Sequence, residues 1–172
     1  MTFTYGHDLF RESNKVIVIP TNCVGVQGAG LAKMAAEHWP RWSAWYSKAC
    51  RTGRVHPGDV LGWCAHDEDL PVYAHRKSIW TTPAETHPIL LSVATKDHWR
   101  QPSLLAWVSD GLIHIEEHLV RSGEGHRGMR VGLPALGCGR GGLDFEVVQP
   151  MLERTAQRLG EQGYDVTLYA PQ

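Results

Sequence analysis

Apolar residues fall into two rhythms along this chain. Largely apolar runs occur at Val16–Ile19, Val60–Cys64, Ile89–Ala94 and Met129–Leu133. Runs of this kind, rich in β-branched residues, suit strands buried on both faces. Between them, apolar positions recur every three to four residues, the spacing of amphipathic helices. Leu31, Met34, Ala35 and His38 set one helix, and Trp42, Trp45, Tyr46 and Ala49 set a second reaching Arg51. Pro40 ends the first and suits the opening turn of the second. Ser103 is the expected N-cap of a third helix reaching Arg121, with Leu104, Val108, Leu112, Ile115 and Leu119 as its apolar face. A last helix is predicted over Phe145–Leu159. Trp39, Trp42 and Trp45 form a helical stripe that reads as core rather than as a base-stacking platform.

The remaining segments fill in the order. Phe3–Phe10 reads as an edge strand and Glu12–Lys15 as a polar turn. Thr52–Asp59 and Gly123–Gly128 carry turn chemistry, and Asp67–Asp69 and Ser78–Pro88 read as polar connections. Val72–Ala74 extends a strand, and Asp165–Ala170 closes the chain as another. Alternating strands and helices predict an α/β fold: a mixed, mostly parallel sheet covered on both faces. No repeat or linker divides it, so residues 1–172 are expected to form one domain.

Composition narrows the function. A chain of 172 residues that is 42% hydrophobic can build a full-sized core. A net charge of −1 excludes a strongly basic nucleic-acid binder but leaves room for a local basic groove. No apolar run approaches the ~20 residues of a membrane span. The first residues lack the basic and apolar parts of a leader, which predicts a cytoplasmic protein. Cys23, Cys50, Cys64 and Cys138 are scattered without Cys-x-x-Cys spacing, as expected of reduced thiols.

Two glycine-rich loops follow two of the apolar runs. The first contains Gly25, Val26, Gln27, Gly28, Ala29, Gly30 and Leu31. The second runs through Leu136, Gly137, Cys138, Gly139, Arg140, Gly141, Gly142 and Leu143. The second fits Gly-x-Gly-x-x-Gly, yet only one helix and one strand follow it, too little for a dinucleotide fold. In the first, Lys33 stands where a third glycine belongs, and there is no Gly-Lys-Ser/Thr. Two such loops at the ends of two strands can close on a diphosphate from both sides through backbone N–H groups.

Three further features have chemistry to offer. His114-Ile-Glu-Glu-His118 matches an inverted zincin pattern, but both histidines flank the apolar stripe of their helix, so half-exposed side chains and no metal are expected. Cys138 reads as a small residue packed under its loop rather than as a thiolate. Lys96 lies just past a buried strand beside Thr95, His98 and Arg100, at the lip of a ligand crevice. Partial burial or nearby cations would lower its pKa and make it nucleophilic.

Together these stretches resemble the macrodomain family. They are closest in kind to the branch that holds the DNA ADP-ribosyl glycohydrolase antitoxins and the terminal ADP-ribose protein glycohydrolase. The resemblance is carried by Asp8-Leu9-Phe10, Asn22–Ala32, Trp39-Pro40, Pro57–Val60, Ala94–Ser103 and Leu133–Asp144, in order along almost the whole chain. It implies a three-layer α/β/α fold with an ADP-ribose pocket at the strand ends. Asp8 would bind the adenine amino group, Tyr169 would stack on adenine, and Asn22 would lie near the distal ribose. Both glycine loops would hold the diphosphate and distal ribose, and Lys96 would be the catalytic residue. The second loop has Gly141 where the protein-directed enzyme of this branch carries a catalytic aspartate, which is nearer to the DNA-directed antitoxins. The expected activity is hydrolytic removal of ADP-ribose from DNA thymidine or from protein Glu/Asp, with a non-catalytic ADP-ribose reader as the alternative. The expected partners are ADP-ribose and ADP-ribosylated DNA or protein, for a monomer with no cofactor and no membrane.

Overall fold

The computed structural model describes residues 3–4, 8–10, 13–64, 72–73, 88–121 and 127–171. The strands are β1 (Phe3–Thr4), β2 (Val16–Asn22), β3 (Val60–Trp63), β4 (Val72–Tyr73), β5 (Ile89–Lys96), β6 (Arg130–Pro134) and β7 (Asp165–Tyr169). The helices are α1 (Gly30–His38), α2 (Pro40–Arg51), α3 (Leu105–Arg121) and α4 (Phe145–Glu161). One sheet holds the strands in the order β1-β7-β6-β2-β5-β3-β4. Its first five members in that order are parallel, and β3 runs antiparallel to both β5 and β4.

Alternation along β2 divides the core. Val16 and Val18 pack with Val108, Ile115 and Leu152 under α3 and α4. Ile17 and Ile19 pack with Ala35, Trp42 and Tyr46 under α1 and α2. The run is therefore apolar without a break because both faces are covered. Trp42 is fully buried and donates from Nε1 to Ser92 Oγ at 2.9 Å, while Trp39 and Trp45 pack against the same cluster. The tryptophan stripe belongs to the core, and the three-layer α/β/α arrangement stands as expected.

β2 continues through Pro20 to Asn22. It pairs with β6 only at Val16 and Ile17, so beyond them one flank is unpaired and a proline is tolerated. On the other flank the register with β5 slips after Thr21, which sets Asn22 opposite Lys96.

Two local expectations are corrected. Ser103 does not cap α3. The Leu104 carbonyl accepts the first helical bonds, from Trp107 and Val108, while the Ser103 N–H donates to the Gly141 carbonyl at 2.9 Å. Ser103 is drawn under the second glycine loop instead. Leu104, 47% exposed, consequently lies off the apolar face. At the N-terminus, the strand covers Phe3–Thr4 among the described residues, and Leu9 and Phe10 form a turn rather than its end. Residues 65–71, 74–87 and 122–126 lie outside the described residues, and with them the Asp67–Asp69 loop and most of the Ser78–Pro88 and Gly123–Gly128 segments.

Candidate functional site

The parallel strands β2, β5, β6 and β7 end on one edge of the sheet. β2 feeds α1 and α2 on one face, and β6 feeds α4 on the other. Open α/β sheets take ligands where neighbouring strands send their connections in opposite directions. A cleft of about 630 Å³ lies there, a common size for a small-molecule site.

The first wall is the loop after β2. Asn22 laces it: Oδ1 accepts from the N–H groups of Val24 and Val26, both at 3.2 Å, and Nδ2 donates to the Val26 carbonyl at 2.7 Å. Gly25 has φ +76°, and a Cβ there would sit 2.8 Å from Ser47 Cα, so the loop lies against α2. Gln27 also turns that way and accepts from Ser43 Oγ at 3.0 Å. α1 then begins at Gly30, with Ala29 at the N-cap offering no side-chain cap and no acidic residue in the first turn. Among the described residues, the N–H groups of Gly28, Ala29, Gly30 and Leu31 have no protein acceptor, and all four residues line the cleft. Unsatisfied amides at a helix start form an anion site.

The second wall is the loop after β6. It is closed by bonds from the Leu143 N–H to the Gly137 carbonyl at 3.0 Å and from the Gly142 N–H to the Gly139 carbonyl at 3.1 Å. A Cβ at Gly141 would run into the Gly137 carbonyl and the Ser103 hydroxyl. Among the described residues, the N–H groups of Gly139, Arg140 and Gly141 have no protein acceptor and line the same cleft. The two loops thus present amides from opposite sides.

Lys96, the last residue of β5, lies between them. Its amine donates to the Arg140 carbonyl at 2.5 Å. Partial burial, and then the Arg140 guanidinium, lower its pKa from the ordinary lysine value. The neutral, nucleophilic amine is thereby more accessible than on a solvated lysine. Asp8, Leu9 and Tyr169 line another part of the cleft. Asp8 Oδ1 accepts the Phe10 N–H at 2.9 Å, and the buried Tyr169 hydroxyl accepts from Asn14 Nδ2 at 2.9 Å.

Asp8, Asn22, Val26, Gly28–Leu31, Thr95, Lys96, Gly137, Gly139–Gly141 and Tyr169 are brought together at the cleft. Gly25, Gln27, Leu136, Cys138, Gly142 and Leu143 are not among the residues that line it. Leu136 is fully buried, and Cys138 and Leu143 pack against the α3–α4 core. Burial, reinforced by Asp144, raises the Cys138 thiol to about 11, so it is no thiolate. Asp144 caps α4, accepting the Glu146 N–H at 3.0 Å. His118 is 2% exposed rather than half-exposed, and His114 Nδ1 lies 2.9 Å from the Gly58 carbonyl. Among the described residues no cluster of His, Cys, Asp and Glu could hold a metal ion, and no helix is long and apolar enough to cross a membrane.

Sequence reasoning passed over Pro20, Thr21, Pro134 and Ala135 in the cleft wall, and took Ser103 for a cap. The first four sit at the ends of β2 and β6, so the strand-end rule alone points to them. Ser103 carries no such signal, because only the folded second loop draws it in.

No model of a protein family matches the chain. It is 33% identical over 169 residues to a DNA ADP-ribosyl glycohydrolase of Mycobacterium tuberculosis, covering 98% of this chain and 42% of the relative. It thus spans about two fifths of the length of the curated relatives it matches. The solved macrodomain of Mycobacterium tuberculosis DarG superposes with a TM-score of 0.78 at 31% identity, covering 99% of both chains. Thermosipho africanus DarTG in complex with ADP-ribose gives a TM-score of 0.74 at 25% identity, over 95% of this chain and 40% of that one.

Proposed function

The chain belongs to the macrodomain family, in the branch of the DNA ADP-ribosyl glycohydrolases, and from that membership we propose that it binds ADP-ribose and removes it hydrolytically from modified DNA. The observation that carries the reading is the Lys96 amine, held at 2.5 Å from the Arg140 carbonyl between two walls of open amides. The walls take the diphosphate, since N–H groups donate to anionic oxygens where side chains would collide. Asp8 and Tyr169 take the adenine end, and Lys96 meets the distal ribose. The neutral amine bonds to the anomeric carbon as the bond to the target breaks, and the target leaves with a proton. Water then displaces the lysine, giving free ADP-ribose and the restored amine.

The crowding at Gly141 favours DNA over protein as the target. A carboxylate side chain has no room at this position, so the loop is built for a site without it. The four free cysteines support a reducing, cytoplasmic setting.

The test incubates the protein with ADP-ribosylated single-stranded DNA and, in parallel, with Glu-ADP-ribosylated protein. Release from the DNA, with little from the protein, is expected. Release from the protein alone reassigns the target. Binding of ADP-ribose with release from neither makes this chain a reader.

A further inference from the structure

Past β5 the chain turns through Asp97-His98-Trp99-Arg100-Gln101-Pro102 before Ser103 passes under the second loop. The turn is pinned along its length. Cys23 donates its N–H to the Asp97 carbonyl at 3.1 Å, Gln101 to the His98 carbonyl at 2.9 Å, and Ser103 to the Gly141 carbonyl at 2.9 Å. The Arg100 N–H donates to His98 Nδ1 at 3.2 Å.

What this rigid turn holds out is Trp99, 44% exposed and lining the cleft that contains Lys96. Every other tryptophan among the described residues is buried or half-buried. The His98 ring stacks on the indole with centroids 5.5 Å apart and planes 27° apart. The Arg100 guanidinium lies 4.4 Å from the indole centroid. Imidazole, indole and guanidinium make one short stack at the rim. The flat surfaces of such a stack are what unpaired bases settle on.

We propose that Trp99, flanked by His98 and Arg100, is the platform on which a base neighbouring the ADP-ribosylated nucleotide of single-stranded DNA stacks. The assignment rests on the reading of the cleft as DNA-directed and adds the strand's own binding surface to it. Single-stranded DNA is the ligand this surface fits. Bases in a duplex are already stacked, and a modified Glu or Asp side chain brings neither a planar ring nor a phosphodiester. Arg100 on the stack and Arg140 across the cleft supply local cations for the phosphates that follow. The net charge of −1 gives no general pull on DNA, so stacking must carry much of the grip.

The test compares release from a modified oligonucleotide of about ten nucleotides with release from the modified mononucleotide. Trp99→Ala is expected to lower kcat/KM on the oligonucleotide by about fivefold to a hundredfold more than on the mononucleotide, the contribution of one stacked base. Trp99→Phe is expected to recover most of the loss. Equal losses on both substrates, or no loss on either, overturn the proposal. If the parent protein releases nothing from DNA, the DNA-directed reading fails by itself. The platform is then read from fluorescence anisotropy with unmodified oligothymidine at low salt. Weaker binding by Trp99→Ala upholds it, and equal binding overturns it.

Discussion

The Lys96 amine donates to the Arg140 carbonyl across 2.5 Å and so ties the end of β5 to the second glycine loop. The contact sets the amine at the cleft, and among the described residues no carboxylate pairs with it to hold it protonated. Lys96→Ala is therefore expected to slow release of ADP-ribose by about a thousandfold or more in single-turnover assays. ADP-ribose affinity, followed by calorimetry, should change by less than about tenfold, the reach of one hydrogen bond. Retained turnover would remove Lys96 from the chemistry.

The same lysine predicts a pH profile. Its pKa is lowered from 10.5, first by burial and then by the Arg140 charge. Turnover should rise with pH as Lys96 loses its proton, with a midpoint below 10.5. A neighbouring cation disfavours the charged amine, so its removal raises the pKa. Arg140→Gln should shift the midpoint of the pH–rate profile to more alkaline pH, and an unmoved midpoint would detach Arg140 from Lys96.

Gly141 and Gly139 separate space from sequence pattern. A methyl at Gly141 collides with the Gly137 carbonyl, whereas one at Gly139 meets nothing within 4 Å. Gly141→Ala should destabilise the fold by about 1–3 kcal/mol, as overpacking does. For a domain of this size that lowers Tm by about 2–10 °C. Gly139→Ala should stay within about 0.5 kcal/mol of the parent in the same melting experiment.

Asn22 is a positioning residue for the first loop. Its amide makes three bonds to Val24 and Val26. Asn22→Ala frees the loop to wander from the geometry that aligns the amides of Gly28–Leu31. ADP-ribose binding should weaken by about tenfold or more, the loss of at least one well-made hydrogen bond. Unchanged affinity would mean that the loop holds its shape without the lacing.

Much of this was legible in the residues because burial leaves a local imprint. Val16–Ile19 had to be a two-faced strand, and Pro40 had to divide two helices. The glycines of both loops marked backbone that comes close to something, and Lys96 stood where a buried run met polar residues. The roles of Ser103 and His118 were set by neighbours far away in the chain, and that of Asn22 by the fold of its own loop, which periodicity does not register. Asn22 appeared only as a ligand contact, yet its amide laces the loop. Ser103 followed the Gly141 carbonyl rather than capping a helix. His118 is buried although it flanks the stripe of its own helix. Periodicity reads one element at a time, and such contacts arise only when elements meet.

The early parting of β2 and β6 makes the cleft a seam. On one side the first loop is braced by α2 through Gly25 and Gln27, and on the other the second loop is braced by α3 through Gly137, whose Cβ would meet Val108, and Ser103. A diphosphate gripped by both loops therefore works as a stitch between the two helical layers. On the proposed reading, release of the product would remove that link between the layers.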